Sequence, residues 1–194
     1  MNRGLFAGLM LMAMGWTPAW ATTVKTFVFE EMCETAQTIV YVKCLARDNA
    51  VFADREGIFT QTRFRVMEVV KGRADTEMVL TLPGGEWEGQ RVYVPGMPRF
   101  VVGQETVLFL SKRDNFGSPW PMGLGQGCYA VQVGEGGNRQ VRLRHVPLPP
   151  EVRSKPAQAQ TSHMELGDFL TAVREVLGSE KEEVRSADDA DGRR

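Results

Sequence analysis

The residues best placed to do chemistry lie in the run PGGEWEGQ, where Glu86 and Glu88 flank Trp87. Two carboxylates beside an aromatic face suit sugar chemistry. One carboxyl protonates a leaving oxygen, the other attacks or activates water, and the indole stacks on the ring. The same run also reads as a solvated turn whose tryptophan folds onto the body of the protein. Trp120 sits between Pro119 and Pro121, and an indole fixed by prolines in a loop is a candidate anchor for a partner. Trp87 and Trp120 are therefore the expected partner-binding residues, and no residue is assigned a catalytic role.

The rest of the sequence supplies little catalytic equipment. His145 and His163 have no partner at metal-ligand spacing, so both read as surface residues and no metal site is expected. There is no G-x-S-x-G and no phosphate-binding loop. Gly123, Gly125 and Gly127 precede a strand instead of opening a helix, and read as a flexible turn. Lys71 ends a strand and reads as a solvated charge that discourages edge pairing. Nothing assembles a nucleophile, a base and oxyanion donors, so the chain reads as non-catalytic and free of cofactors.

Several elements must position these residues. Phe29, Met32, Cys33 and Ala36 follow helical spacing and predict a short first helix. TIVYVKCLA, Thr38 to Ala46, predicts a strand buried on both sides along part of its length, and the polar run from Arg47 to Gly57 predicts a loop. In TQTRFRVMEVVKG, Phe64 and Val66 alternate with Arg63, Arg65 and Met67, and Thr60 and Thr62 share the phase of Phe64. The arginines should face water while Gly72 turns the chain into Met78 to Leu82. Pro83 to Gln90 is a turn, Arg91 to Val94 a short strand, and Glu105 to Ser111 the most apolar strand. Asp114 to Gly127 reads as a loop, and Cys128 to Val133 pairs with Gln140 to His145 as a hairpin.

The ends set the compartment. Met1-Asn2-Arg3, the apolar run Gly4 to Trp16 and Ala19-Trp20-Ala21 have the order of a secretory leader, which places cleavage before Thr22 and the protein in the periplasm or outside the cell. A retained N-terminal membrane helix is the other reading, but the run is short for a span and Pro18 follows it. Without Arg3 the basic residues fall from 23 to 22 against 24 acidic ones, so no excess positive charge is left to neutralise phosphates and nucleic acid is not an expected partner. The organisation expected is a leader at 1–21, one β domain at 22–145, a proline-rich tether at 146–161, a helix at 162–178 and a disordered charged tail at 179–194. Ser162 and Glu165 have the spacing of a capping box at the start of that helix, and Gly178 stands where a C-terminal cap belongs.

The order TIVYVKC, IFTQTRFRVMEVVKG, PGG, VPGMPRF, GQETVLFL and GLGQGCYAVQV resembles that of small exported bacterial proteins of unassigned function, over Phe27 to about Val133. More loosely, a strand pair joined through lysine-glycine resembles the netrin-type module of tissue inhibitors of metalloproteinases. That resemblance implies a mainly β fold, an OB-like antiparallel β-barrel flanked by a short N-terminal helix and a C-terminal helix. The inhibitors bind protease zinc through an N-terminal cysteine, whereas a chain beginning at Thr22 has its first cysteine at Cys33.

Cys33, Cys44 and Cys128 all lie beyond the leader, and an odd count leaves at least one thiol outside any internal bridge. Each also suits a buried thiol. Cys128 alternates with Tyr129 and Val131 and should point to the outer side of its strand. If a flanking helix covers that side, Cys33–Cys128 is the preferred disulfide. The function expected is an exported, non-catalytic binding protein of the cell envelope, using loops or an open edge to hold a protein or a glycan, without a membrane anchor. An inhibitor or accessory factor of a secreted metalloprotease is the alternative, and a saccharide-acting enzyme using Glu86 or Glu88 a third.

Overall fold

The computed structural model describes residues 26–143 and 163–191. The leader at 1–21 and the tether at 146–161 lie outside the described residues, as do His145 and Ser162. The chain forms helix α1 (Phe29–Thr35), strands β1 (Thr38–Phe52), β2 (Arg55–Lys71) and β3 (Glu77–Pro83), a small hairpin β4 (Gly85–Trp87) and β5 (Gln90–Val92), then β6 (Glu105–Arg113), β7 (Pro119–Pro121), β8 (Cys128–Val133), β9 (Arg139–Arg142), β10 (His163–Glu165) and helix α2 (Leu166–Asp191).

β1 is central because it is apolar on both faces. It pairs antiparallel with β2 on one side and β6 on the other, and Ile39, Val40, Tyr41 and Val42 are all buried. Ile39 and Tyr41 face the helices, in a core with Phe29, Phe109, Tyr129 and Phe169. Val40 and Val42 face the opposite way, against Phe64, Leu80, Phe100 and Leu108. Edge-to-face contacts join the layers of the first core, with Phe29 to Phe169 at 5.6 Å and Phe109 to Phe169 at 6.4 Å between centroids.

Among the described residues no helix covers the second face, and the sheet curls to cover it with itself. The β1–β2 ladder carries register shifts between Ile39 and Val40, Tyr41 and Val42, and Cys44 and Ala46. Each bulge bends the strand and increases its twist. As a result β3, three places from β6 in the sheet, returns to the segment beside β7, where the Thr81 amide donates to Ser118 Oγ at 3.1 Å.

The expected closed barrel does not form. The eight-stranded sheet runs β10-β9-β8-β6-β1-β2-β3 with β7 attached to β6, and its ends do not pair. β7 begins and ends in proline, so those residues lack the amide a ladder to β3 would need, and a serine side chain makes the link instead. A second contact spans the same seam. The Arg55 guanidinium lies 4.1 Å from the Phe116 ring centroid and 4.6 Å from that of Phe52.

Other expectations also change. The run from Arg47 to Gly57 is mostly strand, since β1 continues to Phe52 and β2 begins at Arg55. Its polarity reflects a two-stranded arm with little covering it. His163 to Glu165 pair with β9 instead of opening a helix, and Met164 is buried opposite Val141. α2 passes through Gly178 and ends at Asp191, so the tail expected to be disordered is helical through that point. Gly178 does not have the positive φ of a cap, and SEKEEVRSADDAD is proline-free and rich in helix formers.

The expected Cys33–Cys128 disulfide is absent, and all three cysteines remain thiols. Cys33 packs between α1 and the sheet, whereas Cys44 and Cys128 pack with the opposite face. The helices cover the Tyr129 and Val131 side, so a bridge would have to cross the sheet. Cys128 lies in the row of Leu108 and Val40, four residues from Cys44 along β1, or about 13 Å, too far for a bridge. Burial pushes the Cys33 thiol up to about 12, so it is a core group with little thiolate character.

Lys71 is not a solvated charge. Its Nζ donates to the carbonyls of Cys33 at 2.9 Å and Glu34 at 2.6 Å, satisfying the C-terminal end of α1 and opposing its negative dipole end. The next residue, Gly72, has φ 79°, and a Cβ there would overlap the Gln37 carbonyl oxygen. Lysine and glycine together therefore dock the helix exit onto the end of β2.

Gly72→Ala should cost roughly 3 kcal/mol, combining the left-handed backbone with overpacking. Gly89 has φ 78° with nothing near its missing Cβ, so Gly89→Ala should cost about 1 kcal/mol. Equal losses in chemical denaturation would show that the approach to Gln37 does not matter.

Glu105 joins three elements on the helix-facing side. It accepts from Arg139 Nε at 2.7 Å and from the Tyr41 hydroxyl, and its side chain is only 15% exposed. The Arg139 guanidinium holds the Glu105 carboxyl below its ordinary 4.5, against the upward push of burial, with Tyr41 helping. A carboxyl depressed in the fold contributes stability that is complete above 4.5 and is lost as pH falls through the lower folded value. Glu105→Gln should therefore flatten the acid limb of a stability-versus-pH curve. An unchanged slope below pH 4.5 would count against this role.

Candidate functional site

The concave face opens at the end away from α1 into a cleft of about 600 Å³. Its floor is a direct continuation of the core strands. Thr60 and Thr62 lie on the same face of β2 as Phe64, and Thr62 is only 2% exposed. Across the ladder, Arg47 pairs with Thr62 and Asn49 with Thr60. The bulge at Leu45, between Cys44 and Ala46, determines this placement. Strict alternation from Val40, Val42 and Cys44 would turn Ala46 and Asp48 inward, and one extra residue brings in Arg47 and Asn49 instead.

The roof is the β4–β5 hairpin. Gly84 donates its amide to Ile58 O at 2.8 Å, and the chain then doubles back at Gly85. With φ 146°, a Cβ on Gly85 would lie 2.6 Å from Asn49 Oδ1 and 2.9 Å from Thr60 Oγ1, so only glycine lets the hairpin start this close to the floor. Thr60 Oγ1 lies between the two, donating its one proton to Gly84 O at 2.7 Å while Asn49 Oδ1 stands 3.2 Å away. Arg91 closes the hairpin, its Nε at 3.0 Å and Nη2 at 2.6 Å from Glu86 Oε2.

The far wall is the return segment through Met97, Pro98 and Arg99 to Phe100, whose ring meets Phe64 edge-on at 4.9 Å. Arg47 Nη1 donates to Phe100 O at 3.3 Å, and the Arg99 guanidinium lies 5.2 Å from the Tyr93 ring. Among the described residues neither arginine has a carboxylate partner. The cleft therefore combines two unpaired cations, one ion-paired arginine, a polar floor and apolar patches from Leu82, Val94, Met97 and Phe100.

The structure separates the residues that the sequence singled out. Glu86 and Glu88 line the cleft, but Glu86 is committed to Arg91 as a hydrogen-bond acceptor. Trp87 is 43% exposed on the hairpin and is not a lining residue. Trp120 is half-buried. It packs on the inner core and donates its indole N–H to Asp114 Oδ2 at 2.9 Å. Gly125 and Gly127 are tied by backbone hydrogen bonds to Gly96, Phe109 and Met122, so that glycine run is not the flexible turn expected. No three His, Cys, Asp or Glu side chains converge as a metal site among the described residues, and none of their helices is long and apolar enough to cross a membrane. Arg47, Asn49 and Arg99 carried no signal in the sequence beyond their polarity.

Asp114 organises the seam below the cleft. Its Oδ1 accepts the Phe116 and Ser118 amides, each at 2.9 Å, which places Ser118 opposite Thr81. Burial pushes its carboxyl up, but the bonds from Ser118, Trp120 and Phe116 outweigh that and leave it below the usual range. Asp114→Ala should cost roughly 2 kcal/mol through lost hydrogen bonds. In a Trp87→Phe chain beginning at Thr22, it should also shift tryptophan emission to the red. Unchanged emission would show that Asp114 does not fix the indole.

Comparison with protein-family models, with curated proteins and with solved structures finds no match to this chain, so its functional reading rests on the cleft.

Proposed function

We propose that the protein is a non-catalytic binding module, exported to the periplasm or beyond, that seats a ligand in the cleft between the β4–β5 hairpin and the curled sheet. One observation carries this reading: Arg47 and Arg99 line an open cleft without carboxylate partners among the described residues, over a floor built on the β1–β2 ladder. Unpaired guanidiniums beside apolar wall residues form a recognition surface, because few convergent polar groups in a concave site fix a ligand's orientation. The pairing of Glu86 with Arg91 supports binding over acid–base hydrolysis, since that carboxylate already serves the hairpin. The leader-like order of residues 1–21 supports export.

The test is a thermal-shift survey of peptides, glycans, lipids and small anions, run on the protein and on Val92→Trp, which narrows the mouth. A ligand at about ten times its Kd should raise the Tm of the unaltered protein by roughly 3 to 5 °C and leave Val92→Trp nearly unmoved. The reading fails if no class stabilises the protein, if the variant is stabilised equally, or if the ligand is recovered chemically changed. Export is checked by cell fractionation, with a mature N-terminus at Thr22 expected and an uncleaved cytosolic chain overturning it.

A further inference from the structure

We infer that the ligand of this cleft is a short peptide with a free C-terminal carboxylate, held by Arg47 and Arg99. The inference rests on the binding reading above and names the chemistry of its ligand.

Charge sets the first requirement. The lining residues include Arg47, Arg91 and Arg99 against Glu86 and Glu88, a net single positive charge. Because Arg91 is closed by Glu86, the uncompensated donors belong to Arg47 and Arg99. Arg47 spends one N–H on Phe100 O, and the rest of its fork remains for an oxyanion. A monoanion matches this balance. A phosphate dianion would bring a second negative charge against Glu86 and Glu88 and leave the cleft net negative.

The floor sets the second requirement. Thr62 is 2% exposed and lines the cleft, and its hydroxyl makes no hydrogen bond within the described chain. Asn49 also lines the cleft, its side-chain amide 3.2 Å from Thr60 Oγ1 with hydrogen-bonding capacity left over for a ligand. A polar group that a ligand covers without pairing costs binding free energy, and this discriminates against a ligand unable to satisfy it. An acyl chain over this floor would leave the Thr62 hydroxyl and the Asn49 amide unmatched. A peptide supplies an N–H and a C=O at each residue, and its carboxylate lies one residue beyond the last amide.

The apolar patches supply the third requirement. Leu82, Val94, Met97 and Phe100 give side-chain contact that a sugar acid, hydroxylated all round, would not use. Anion, amide and apolar side chain occur together in the last residues of a peptide. The volume of about 600 Å³ suits two or three of them.

The experiment titrates the full-length mature chain by calorimetry with N-acetyl-alanyl-leucine as the free acid, the same peptide as its C-terminal amide, decanoate, glucuronate and phenyl phosphate. The free acid should bind and the amide should bind roughly ten- to a hundredfold more weakly, the loss expected when a charged hydrogen bond is removed. Arg47→Ala and Arg99→Ala, each confirmed as folded by circular dichroism, should reduce that acid-to-amide ratio toward one. Equal binding of acid and amide would overturn carboxylate recognition. Tighter binding of decanoate, glucuronate or phenyl phosphate would overturn the peptide assignment. If all five fail while another ligand from the survey is excluded by Val92→Trp, the peptide inference falls and the cleft reading stands. If nothing binds at all, both fall.

Discussion

The architecture depends on burying both faces of one strand. Val40 and Val42 on one side and Ile39 and Tyr41 on the other are all inaccessible, so β1 needs cover above and below as well as a partner on each edge. Two helices supply one cover. The described residues place no third helix on the inner face, and the sheet itself bends until β3 and the β7 segment meet over Phe64, Leu80 and Leu108. Three bulges in the β1–β2 ladder, with the extra residue at Val70 and Met67 of β2 and at Leu45 of β1, contribute to that bend, and the cost of the lost ladder bonds is offset by the apolar area the curl removes from water.

Bending without closing leaves a seam, and the seam is held by side chains. A ladder between β3 and β7 would need amides that Pro119 and Pro121 lack, so one Ser118 hydroxyl takes the Thr81 amide. Arg55 adds a contact of another kind, its guanidinium stacked among Phe52, Phe59 and Phe116 with its side chain only 13% exposed. A cation over aromatic faces contributes on the order of 1 kcal/mol, and more when desolvated. Asp114 ranks above both, because it fixes Ser118 and Trp120 together and lies close enough to Arg55 to feel its charge. The weakest part of the sheet is therefore specified by three residues that a pattern of hydrophobicity does not reveal.

Local patterns made much of the fold legible. The helical spacing of Phe29, Met32, Cys33 and Ala36 matches four buried positions, and the alternation around Phe64 matches the observed faces of β2 as far as Val66. The failures share a cause in tertiary context. Arg47 to Phe52 and Arg55 to Gly57 have loop composition but lie in strands because each arm of the hairpin pairs with the other and needs no core. Lys71 looks like a solvent charge until α1 is known to end beside it. The cysteine pairing failed because alternation gave the correct face of β8 for Cys128, while nothing local tells which face the helices cover. Closure of a barrel likewise depends on whether two distant edges meet with matching donors and acceptors, and periodicity within one strand does not carry that information.

The cleft shows the same limit at a finer scale. Its floor belongs to the same inner rows as the core, and it differs from the core by the phase change at Leu45. Upstream of the bulge the inner positions of β1 are Val40, Val42 and Cys44, and downstream they are Arg47 and Asn49. Across the ladder β2 changes in step, from Phe64 to Thr62 and Thr60, without any bulge between them. A period-two reading carried through Cys44 places Ala46 and Asp48 inside and yields a nondescript loop. The same residues shifted by one position yield a cationic, hydrogen-bonding floor. The single extra residue that bends β1 over its core thus also turns the strand's polar end inward, and the curl that buries the apolar half is inseparable from the mouth that gathers the polar half.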